Sequence, residues 1–338
     1  MAATVNLGLA GAGRIGAVHA RTVGSRVPGA RIVAVADPSL TAARRLAEEL
    51  GVERVLEDSV ALVRDRSVDA IMVCSSTESH VELVVEAARA GKDVFCEKPL
   101  AIDLEDIDRA LAAVGEAGTR LQVGFNRRFD PDFARLRALV AEGAVGGAQL
   151  LRITSRDPEP PPVEYVERSG GLFLDMLIHD FDMARFLVGA EVEEVFAAAA
   201  VLVDPAIGEA GDVDTAVVTL RFEGGCLGTI DNSRRAVYGY DQRAEVFGSR
   251  GMVSNRNRAA TTAVRAGPEG SVEPPPLRFF MDRYIAAYEA QLASFVAALQ
   301  SDREPAVTGE DARRATLLAL AAKRSVAEGR PVRLAEGP

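Results

Sequence analysis

Residues 8–16 read GLAGAGRIG, and they stand between a short apolar run and a pattern typical of a helix. Their glycines have the spacing GxGxxG. In a strand–loop–helix unit the first glycine allows a tight turn, the second lets a pyrophosphate approach the backbone at the helix N-terminus, and the third lets the helix pack closely on the strand. We therefore predict a dinucleotide-binding loop. The residues assigned to it are Gly11, Gly13, Arg14, Ile15 and Gly16.

An acidic residue, Asp37, closes the next apolar run, RIVAVAD. A carboxylate at this position accepts hydrogen bonds from the adenosine ribose hydroxyls, and it repels the 2′-phosphate that distinguishes NADP from NAD. Pro38 and Ser39 offer no guanidinium nearby, and Arg44 and Arg45 lie a turn or more into the next helix, where a solvated face is the simpler interpretation. The sequence therefore predicts NAD as the cofactor.

The pattern of apolar residues changes once along the chain. From residue 5 to about 125, short apolar runs alternate with helical patterns, which is typical of a doubly wound parallel sheet. Strand-like segments separated by Gly and Asp turns follow, and helical patterns return in DRYIAAYEAQLASFVAALQ and GEDARRATLLALAAKRSVAEG, which we expect to cover one face of a second sheet. We predict two domains: residues 1–125, an α/β parallel-sheet domain, and 126–338, an α+β domain with a large open, mostly antiparallel sheet.

Composition excludes several classes of protein. The 338 residues include 49 carboxylates against 39 Lys plus Arg, a net charge of −10, and no basic run, which argues against a nucleic-acid partner. Apolar stretches are too short for a membrane span, and the first residues lack the positive region of a signal peptide. Three widely spaced cysteines fit neither a zinc site nor a secreted disulfide framework. We expect a soluble, cytoplasmic protein without a metal site or a membrane partner.

A lysine follows a predicted strand in the segment CEKPL. Lys98 would lie at the carboxyl edge of the parallel sheet, where open α/β sheets bind ligands. The chain contains only two other lysines, Lys92 and Lys323, and uses Arg elsewhere for its surface cations. We interpret Lys98 as a functional ammonium group, with an ordinary surface role as the alternative.

The segment GGLFLDMLIHDFDMARFLVG, residues 170–189, places acids within an apolar helical pattern. On one continuous helix Asp175, His179 and Asp182 would share a face, and Asp180 would point away. We predict that Asp175 orients the imidazole and that His179 is a general base. The alternative is a buried histidine satisfied by neighbouring carboxylates.

The other two histidines receive different interpretations. His19 lies in the first helix, where a structural role is the simpler interpretation. His80 follows a strand whose end would pass near the cofactor, so a role in the cofactor loop and a structural role both remain open. Beyond the glycine loop, the residues assigned to the cofactor site are Asp37, Ser75, Thr77, His80 and Glu97.

Together, GAGRIG, the terminal Asp37, CEKP and GGLFLDMLIHDFD resemble the Gfo/Idh/MocA oxidoreductases, with a Rossmann nucleotide-binding domain, over nearly the whole chain. NRRFD, SRDP and YGYDQRAEVFGSRGMV are further similar to segments of the inositol 2-dehydrogenases within that family. The resemblance implies that Lys98, Asp175 and His179 form the catalytic group. The polyol contacts that it implies are Asn126, Arg127, Asp157 and Tyr240.

The resemblance also implies an activity. We expect NAD-dependent oxidation of a cyclic polyol, myo-inositol to the 2-keto sugar scyllo-inosose, with His179 as general base and Lys98 stabilising the oxyanion. Another inositol isomer or a hexose remains an alternative substrate. A non-catalytic NAD- or sugar-sensing protein on the same fold is a further alternative, which the presence of the lysine and the Asp–His pair disfavours. The family implies a homotetramer joined through the open sheet.

Overall fold

The computed structural model describes residues 3–337. Among these, the strands are β1 (Val5–Ala10), β2 (Ala30–Ala36), β3 (Arg54–Leu56), β4 (Ala70–Val73), β5 (Asp93–Cys96), β6 (Leu121–Val123), β7 (Ala148–Arg156), β8 (Val192–Ala200), β9 (Thr215–Phe222), β10 (Leu227–Ser233), β11 (Asp241–Gly248), β12 (Gly251–Ser254), β13 (Arg265–Gly267), β14 (Gly270–Val272) and β15 (Val332–Arg333). The α-helices are α1 (Arg14–Arg26), α2 (Leu40–Leu50), α3 (Ser59–Val63), α4 (His80–Arg89), α5 (Leu104–Ala117), α6 (Pro131–Ala141), α7 (Val163–Ser169), α8 (Gly171–Asp175), α9 (Leu177–Val188), α10 (Pro205–Glu209), α11 (Phe280–Arg283), α12 (Ile285–Gln300) and α13 (Gly309–Glu328).

The described chain divides into two compact units, residues 3–129 with 286–316, and residues 130–285 with 317–337. The first unit holds a six-stranded sheet in the order β3-β2-β1-β4-β5-β6, in which every adjacent pair is parallel. The strands of its centre are buried along their length, as in the run AIMV of β4, because helices cover both faces. The predicted doubly wound parallel sheet is therefore confirmed.

The strand order of this sheet reverses between β1 and β4. Ligands of open α/β sheets bind outside the carboxyl ends of the strands at such a switch point. The GxGxxG loop leaves β1 there, and the segments after β2, β4 and β5 carry the other predicted cofactor residues.

One helix belongs to a different unit from the one that we expected. The helix α12 does not join the second sheet: its Leu292, Phe295 and Val296 are buried in the core cluster of the parallel-sheet unit, with Phe95 and Leu9. A 3.6-residue apolar period shows that a helix buries a face, but it does not identify which sheet receives that face. The expectation that α12 covers the second sheet was therefore wrong.

The second unit holds a seven-stranded sheet in the order β12-β11-β7-β10-β9-β8-β15. β7 and β10 are parallel, and the other adjacent pairs are antiparallel, as expected for a mostly antiparallel sheet. On one face α9 packs against β7 and β10, and α6 packs against β11 and β12. Apolar side chains on the other face are exposed: Leu150, Phe196, Val217, Leu227, Phe247 and Met252. Within residues 3–337, no helix is long and apolar enough to cross a membrane.

Candidate active site

The glycine loop has the geometry of a pyrophosphate cradle. Gly11 has a φ of +102°, and a Cβ there would lie 2.5 Å from the carbonyl group of Cys74. A Cβ on Gly16 would lie 2.0 Å from the carbonyl oxygen of Gly11, whereas a Cβ on Gly13 would meet nothing within 4 Å. The backbone at Gly13, which begins α1 without a side-chain cap, is thus open to an approaching anion. These residues fit the phosphates of a dinucleotide, and the exposed Arg14 lies in the first turn.

Asp37 is fixed beside this loop. Its Oδ2 accepts a hydrogen bond from the backbone N–H of Ala12 at 2.7 Å, and its Oδ1 accepts one from the N–H of Ser39 at 2.7 Å. An ionised carboxylate offers about four acceptor sites, so both oxygens retain capacity for ribose hydroxyls. The carboxylate that we predicted to select NAD is therefore held against the loop that would bind the pyrophosphate.

The segment after β4 is held by a buried histidine. His80 places Nε2 3.1 Å from the carbonyl oxygen of Ser75 and Nδ1 2.9 Å from that of Pro99. Burial lowers the pKa of His80, against the opposing effect of these two carbonyl acceptors. The Ser75 hydroxyl pairs with that of Ser79 at 2.6 Å, and Thr77 begins a short 3₁₀ turn. His80 therefore joins the segments that follow β4 and β5.

The segment after β5 is held from the opposite side. Glu97 is buried, and its Oε1 lies 2.6 Å from Nε2 of His19 on α1. The other oxygen, Oε2, accepts the backbone N–H of Lys98 at 3.1 Å. Lys98 is half-buried and joined to Pro99 by a cis peptide bond. Within this unit, the structure thus gathers Lys98, Glu97 and His80 at the carboxyl end of β5.

In the second unit the acid-containing helix is broken, which corrects the prediction of one continuous helix. α8 ends at Asp175, and α9 begins at Leu177 after Met176, so the i, i+4, i+7 face does not run through Asp175, His179 and Asp182. Asp180 and Asp182 are both fully buried. Asp180 accepts a hydrogen bond from Nδ2 of Asn232 on β10 at 3.1 Å.

Asp175 belongs to a polar cluster that the sequence did not suggest. Its Oδ1 accepts the hydroxyl of Tyr165 at 2.9 Å, and its Oδ2 lies 3.4 Å from Nη1 of Arg234. Nη2 of Arg234, whose side chain is 1% exposed, lies 3.6 Å from Oδ2 of Asp212. Burial and then the charge of Asp175 raise the pKa of Tyr165 well above its usual value, so the hydroxyl keeps its proton and donates. The charge of Asp157 also raises this pKa.

The predicted polyol contacts lie in two places. Asn126 and Arg127 are buried in a 3₁₀ turn after β6 in the first unit. In the second unit, Asp157 follows β7, and its backbone bonds to Ser233 and Ala236. Tyr240 is buried and packs edge-on against Tyr284 with ring centroids 6.0 Å apart. Among residues 3–337, no group of three or more His, Cys, Asp or Glu side chains could hold a metal ion.

A parallel sheet with an open glycine cradle, an acid at the end of β2 and a lysine after β5 defines a nicotinamide-dinucleotide oxidoreductase. Residues 5–125 match the model of the oxidoreductase family with an NAD-binding Rossmann fold, and residues 133–254 match the GFO/IDH/MocA C-terminal domain. The chain belongs to the GFO/IDH/MocA oxidoreductase family. It is an oxidoreductase with NAD as its cofactor.

Similarity to known proteins extends over both units. The chain is 51% identical to the myo-inositol 2-dehydrogenase of Thermotoga maritima over 98% of this chain and 99% of that protein. It is 48% identical to the inositol 2-dehydrogenase of Rhizobium meliloti over 98% of this chain and all of that protein. The crystal structure of scyllo-inositol dehydrogenase from Lactobacillus casei, with bound NAD(H) and scyllo-inositol, has a TM-score of 0.92 at 29% identity, covering 98% of this chain and 99% of that one.

Proposed function

We propose that this enzyme oxidises a cyclic polyol with NAD, and that its substrate is myo-inositol, which becomes the 2-keto sugar scyllo-inosose. The observation that carries the proposal is the full-length similarity, at about half of all positions, to proteins named inositol 2-dehydrogenases. The lysine at the carboxyl edge of the sheet and the acid–histidine segment supply chemistry suited to this reaction.

The proposed roles follow from the chemistry of the groups. His179 takes the proton of the hydroxyl that is oxidised, and the ammonium of Lys98 stabilises the negative charge that develops on its oxygen. NAD, when bound, accepts the hydride from the same carbon. Asp175 orients the imidazole of His179; its carboxylate, already the acceptor for Tyr165 and Arg234, has acceptor capacity left for a ring N–H.

Several hydroxyls on the ring require several polar contacts, because a site that hydrogen-bonds each hydroxyl rejects analogues that lack one. We propose that Asn126, Arg127, Asp157 and Tyr240 make these contacts. A deoxy-inositol that lacks a contacted hydroxyl leaves a buried polar group unpaired and should lose much of kcat/KM.

A substrate panel tests the proposed function. Initial rates of NADH formation are measured with NAD or NADP and with myo-inositol, scyllo-inositol, D-chiro-inositol and glucose. Fast turnover of myo-inositol with NAD alone, with scyllo-inosose as product, is the expected result. No turnover of any cyclic polyol, with NAD binding intact, would overturn it.

A different inositol isomer is the alternative that a specific observation favours, since the enzyme from Lactobacillus casei is named for scyllo-inositol and binds it in the crystal. A panel in which scyllo-inositol or glucose gives the highest kcat/KM would keep the roles of Lys98 and His179. It would reassign the polyol contacts.

The proposed catalytic residues have their own test. His179→Ala and Lys98→Met should each lower kcat by about 10² to 10⁴, the usual contribution of a positioned proton acceptor or charge stabiliser. Lys323→Met, at an exposed lysine, is the matched control and should keep wild-type activity. Wild-type kcat in either variant, with NAD binding unchanged, would remove that residue from the mechanism.

We further propose that the enzyme is a cytoplasmic homotetramer. Its three cysteines are free and buried, which suits a reducing compartment. On the open face of the second sheet, the register places Leu227, Leu150, Phe247 and Met252 side by side across β10, β7, β11 and β12. These four side chains are between 39% and 51% exposed, and an apolar row of this kind is typical of an interface with another copy.

A further inference from the structure

The chain has three histidines, and two of them, His19 and His80, have no part in the proposed chemistry. Each makes a side-chain hydrogen bond to the segment that carries Lys98. We infer that His19 and His80 are positioning residues, which fix the backbone on the two sides of Lys98. The inference rests on the proposed catalytic role of Lys98.

The His19 side of this arrangement is buried throughout. The ring of His19 is 0% exposed and lies edge-on between Phe95 and Tyr288, with centroids 5.2 and 5.4 Å away. Its Nε2 lies 2.6 Å from Oε1 of Glu97, whose Oε2 accepts the N–H of Lys98. Glu97 therefore links the imidazole directly to the peptide of the lysine.

The space around Glu97 limits where its carboxylate can go. A Cβ at Gly124 would lie 3.0 Å from three atoms of that carboxylate, so the backbone of Gly124 closes one side. His19 occupies another side with a charge-assisted hydrogen bond, which is roughly twice as strong as a neutral one. Loss of the imidazole would free the carboxylate to turn and to release the N–H of Lys98.

The His80 side holds the residue that follows the lysine. Nδ1 of His80 lies 2.9 Å from the carbonyl oxygen of Pro99, and the ring is 1% exposed. Its Nε2 faces the carbonyl oxygen of Ser75 at 3.1 Å, so one ring spans the segments after β4 and β5. Buried imidazoles thus hold the backbone N–H of Lys98, through Glu97, and the carbonyl group of Pro99, the residue after the lysine.

This arrangement connects the lysine to the cofactor helix. His19 stands on α1, the helix whose N-terminus forms the glycine cradle. A displacement of α1 relative to the segment after β5 would break the short bond between His19 and Glu97. The lysine is therefore held in place relative to the cradle before substrate binds. A catalytic group that is already oriented does not have to be reoriented during the reaction.

The first test compares three variants in the first unit. His19→Leu should lower kcat by about 10-fold or more, because a displacement of about 1 Å in a catalytic group can cost 10²-fold. KM for NAD should change little. His19→Gln should recover most of the loss, since its side-chain N–H can donate to Glu97. The control is Val23→Ala. It removes two methyl groups from the same face of α1, one turn further on, in the core cluster that includes Phe95. It should lower Tm and leave kcat unchanged.

His80 is tested in the same way. His80→Asn keeps a side-chain N–H near the position of Nδ1, so it should retain most of kcat, whereas His80→Leu should lose about 10-fold or more. Equal losses in the Asn and Leu variants would remove His80 from the inference.

The deciding experiment places His19→Leu in a Lys98→Met background and measures kcat at high enzyme concentration. If His19 acts through the lysine, the second substitution causes no further loss, because groups that act as a unit are not additive. The inference would be overturned if His19→Leu lowered kcat by the same factor in the wild-type and Lys98→Met backgrounds. It would also be overturned if Val23→Ala lowered kcat as much as His19→Leu does. A Lys98→Met enzyme with wild-type kcat would overturn the role of the lysine and the inference with it. If Lys98→Met lowered kcat but His19→Leu kept full activity, the role of the lysine would stand and only the inference about His19 would be overturned.

Discussion

We propose that Asp37 combines two tasks in one side chain. Its carboxylate holds the glycine loop through Ala12 and the start of the next helix through Ser39, and it presents negative charge where a ribose would lie. The first task requires only acceptor oxygens, whereas the rejection of NADP requires charge.

The substitution Asp37→Asn separates the structural task of this side chain from the rejection of NADP. The amide oxygen still accepts a backbone hydrogen bond, so the variant should fold, but repulsion of a 2′-phosphate is lost. We expect the ratio of kcat/KM for NADP to that for NAD to rise by on the order of 10-fold. Initial rates with both cofactors measure it, with Tm confirming the fold. An unchanged ratio would assign the selection of NAD to other residues.

At the scale of single residues, the sequence predicted the groups that occupy fixed positions in a motif. The places of Asp37 and Lys98 in the fold could be predicted, because each follows a strand whose position the alternation of strands and helices had already set. Their roles stay predictions. Tyr165, Arg234 and Asp212 could not be predicted as a cluster. Arg234 reaches Asp175 from 59 residues away along the chain, and Asp212 joins the cluster through Arg234. A local sequence pattern does not predict contacts between side chains so far apart along the chain.

At the scale of elements, the glycine loop allows a discriminating substitution. Gly13→Ala places a Cβ in open space at a φ of −69°, which any residue adopts, so the unliganded protein should keep its Tm. The same Cβ stands where a pyrophosphate must approach, and the dissociation constant for NAD should rise by on the order of 10-fold or more. Titration of cofactor fluorescence measures this constant.

Gly115→Ala is the matched control. This glycine lies within α5, where a Cβ also meets nothing within 4 Å. The substitution should leave NAD binding unchanged and slightly raise stability, by about 0.5–1 kcal/mol, because alanine is the better helix former. Wild-type NAD affinity in Gly13→Ala would contradict the assignment of the cradle.

The start of α8 shows what helical periodicity leaves undetermined. The apolar pattern from Leu172 to Leu187 is continuous, and a single helix satisfies it. In the structure Gly170 and Gly171 both have positive φ, and a Cβ on Gly171 would lie 2.5 Å from Oδ1 of Asp212. Asp212 in turn accepts the N–H of Leu172. A tertiary contact therefore fixes the start of α8, and a local pattern carries no record of it.

The hydrogen bonds of Asp214 predict how acid affects the loop of residues 202–214 in the second unit. Burial alone would raise the pKa of Asp214, but the N–H groups of Leu202, Val203 and Asp204 and the hydroxyl of Thr215 outweigh it and hold this pKa below its ordinary value. A lowered pKa means that the stabilisation is full above the unfolded-state pKa of about 3.9 and is lost as the pH falls through the folded-state pKa.

Asp214→Asn should therefore destabilise the protein by about 1–3 kcal/mol at neutral pH, since an amide has one acceptor oxygen for four donors. The difference from wild type should shrink at acidic pH. Urea unfolding across the pH range measures it, with exposed Glu209→Gln as control. A difference that stayed constant down to the lowest accessible pH would contradict the account of this loop.

At the scale of the whole molecule, the classes of both sheets could be predicted from periodicity, because alternating strands and helices permit few other arrangements. The strand order of the second sheet, with β7 beside β10 and β11, could not. The pairing of strands that are distant along the chain depends on how whole faces of the sheet and helices fit together. The packing of α12 in the first unit depends on the same fit. The apolar residues of the open sheet face were visible in the sequence only as ordinary strand positions.

The open sheet face gives a prediction about assembly. Leu150 stands between Leu227 and Phe247 in the apolar row, so Leu150→Glu would place a charge in the centre of the interface that we propose. We expect the wild type to form the proposed tetramer and the Leu150→Glu variant to form smaller species, as measured by sedimentation velocity. Leu202→Glu, at a leucine that is 73% exposed outside the strands, is the control and should leave the tetramer intact. A Leu150→Glu tetramer of unchanged stability would exclude this face as the interface.

The most direct test of the central claim follows one hydrogen. The enzyme is incubated with NAD and myo-inositol that carries deuterium at C2, and the reduced cofactor and the sugar product are analysed by mass spectrometry and NMR. The deuterium should be found on the nicotinamide ring, and the product should be the ketone at C2. Reduced cofactor without the label, or a ketone at another carbon, would contradict the central claim.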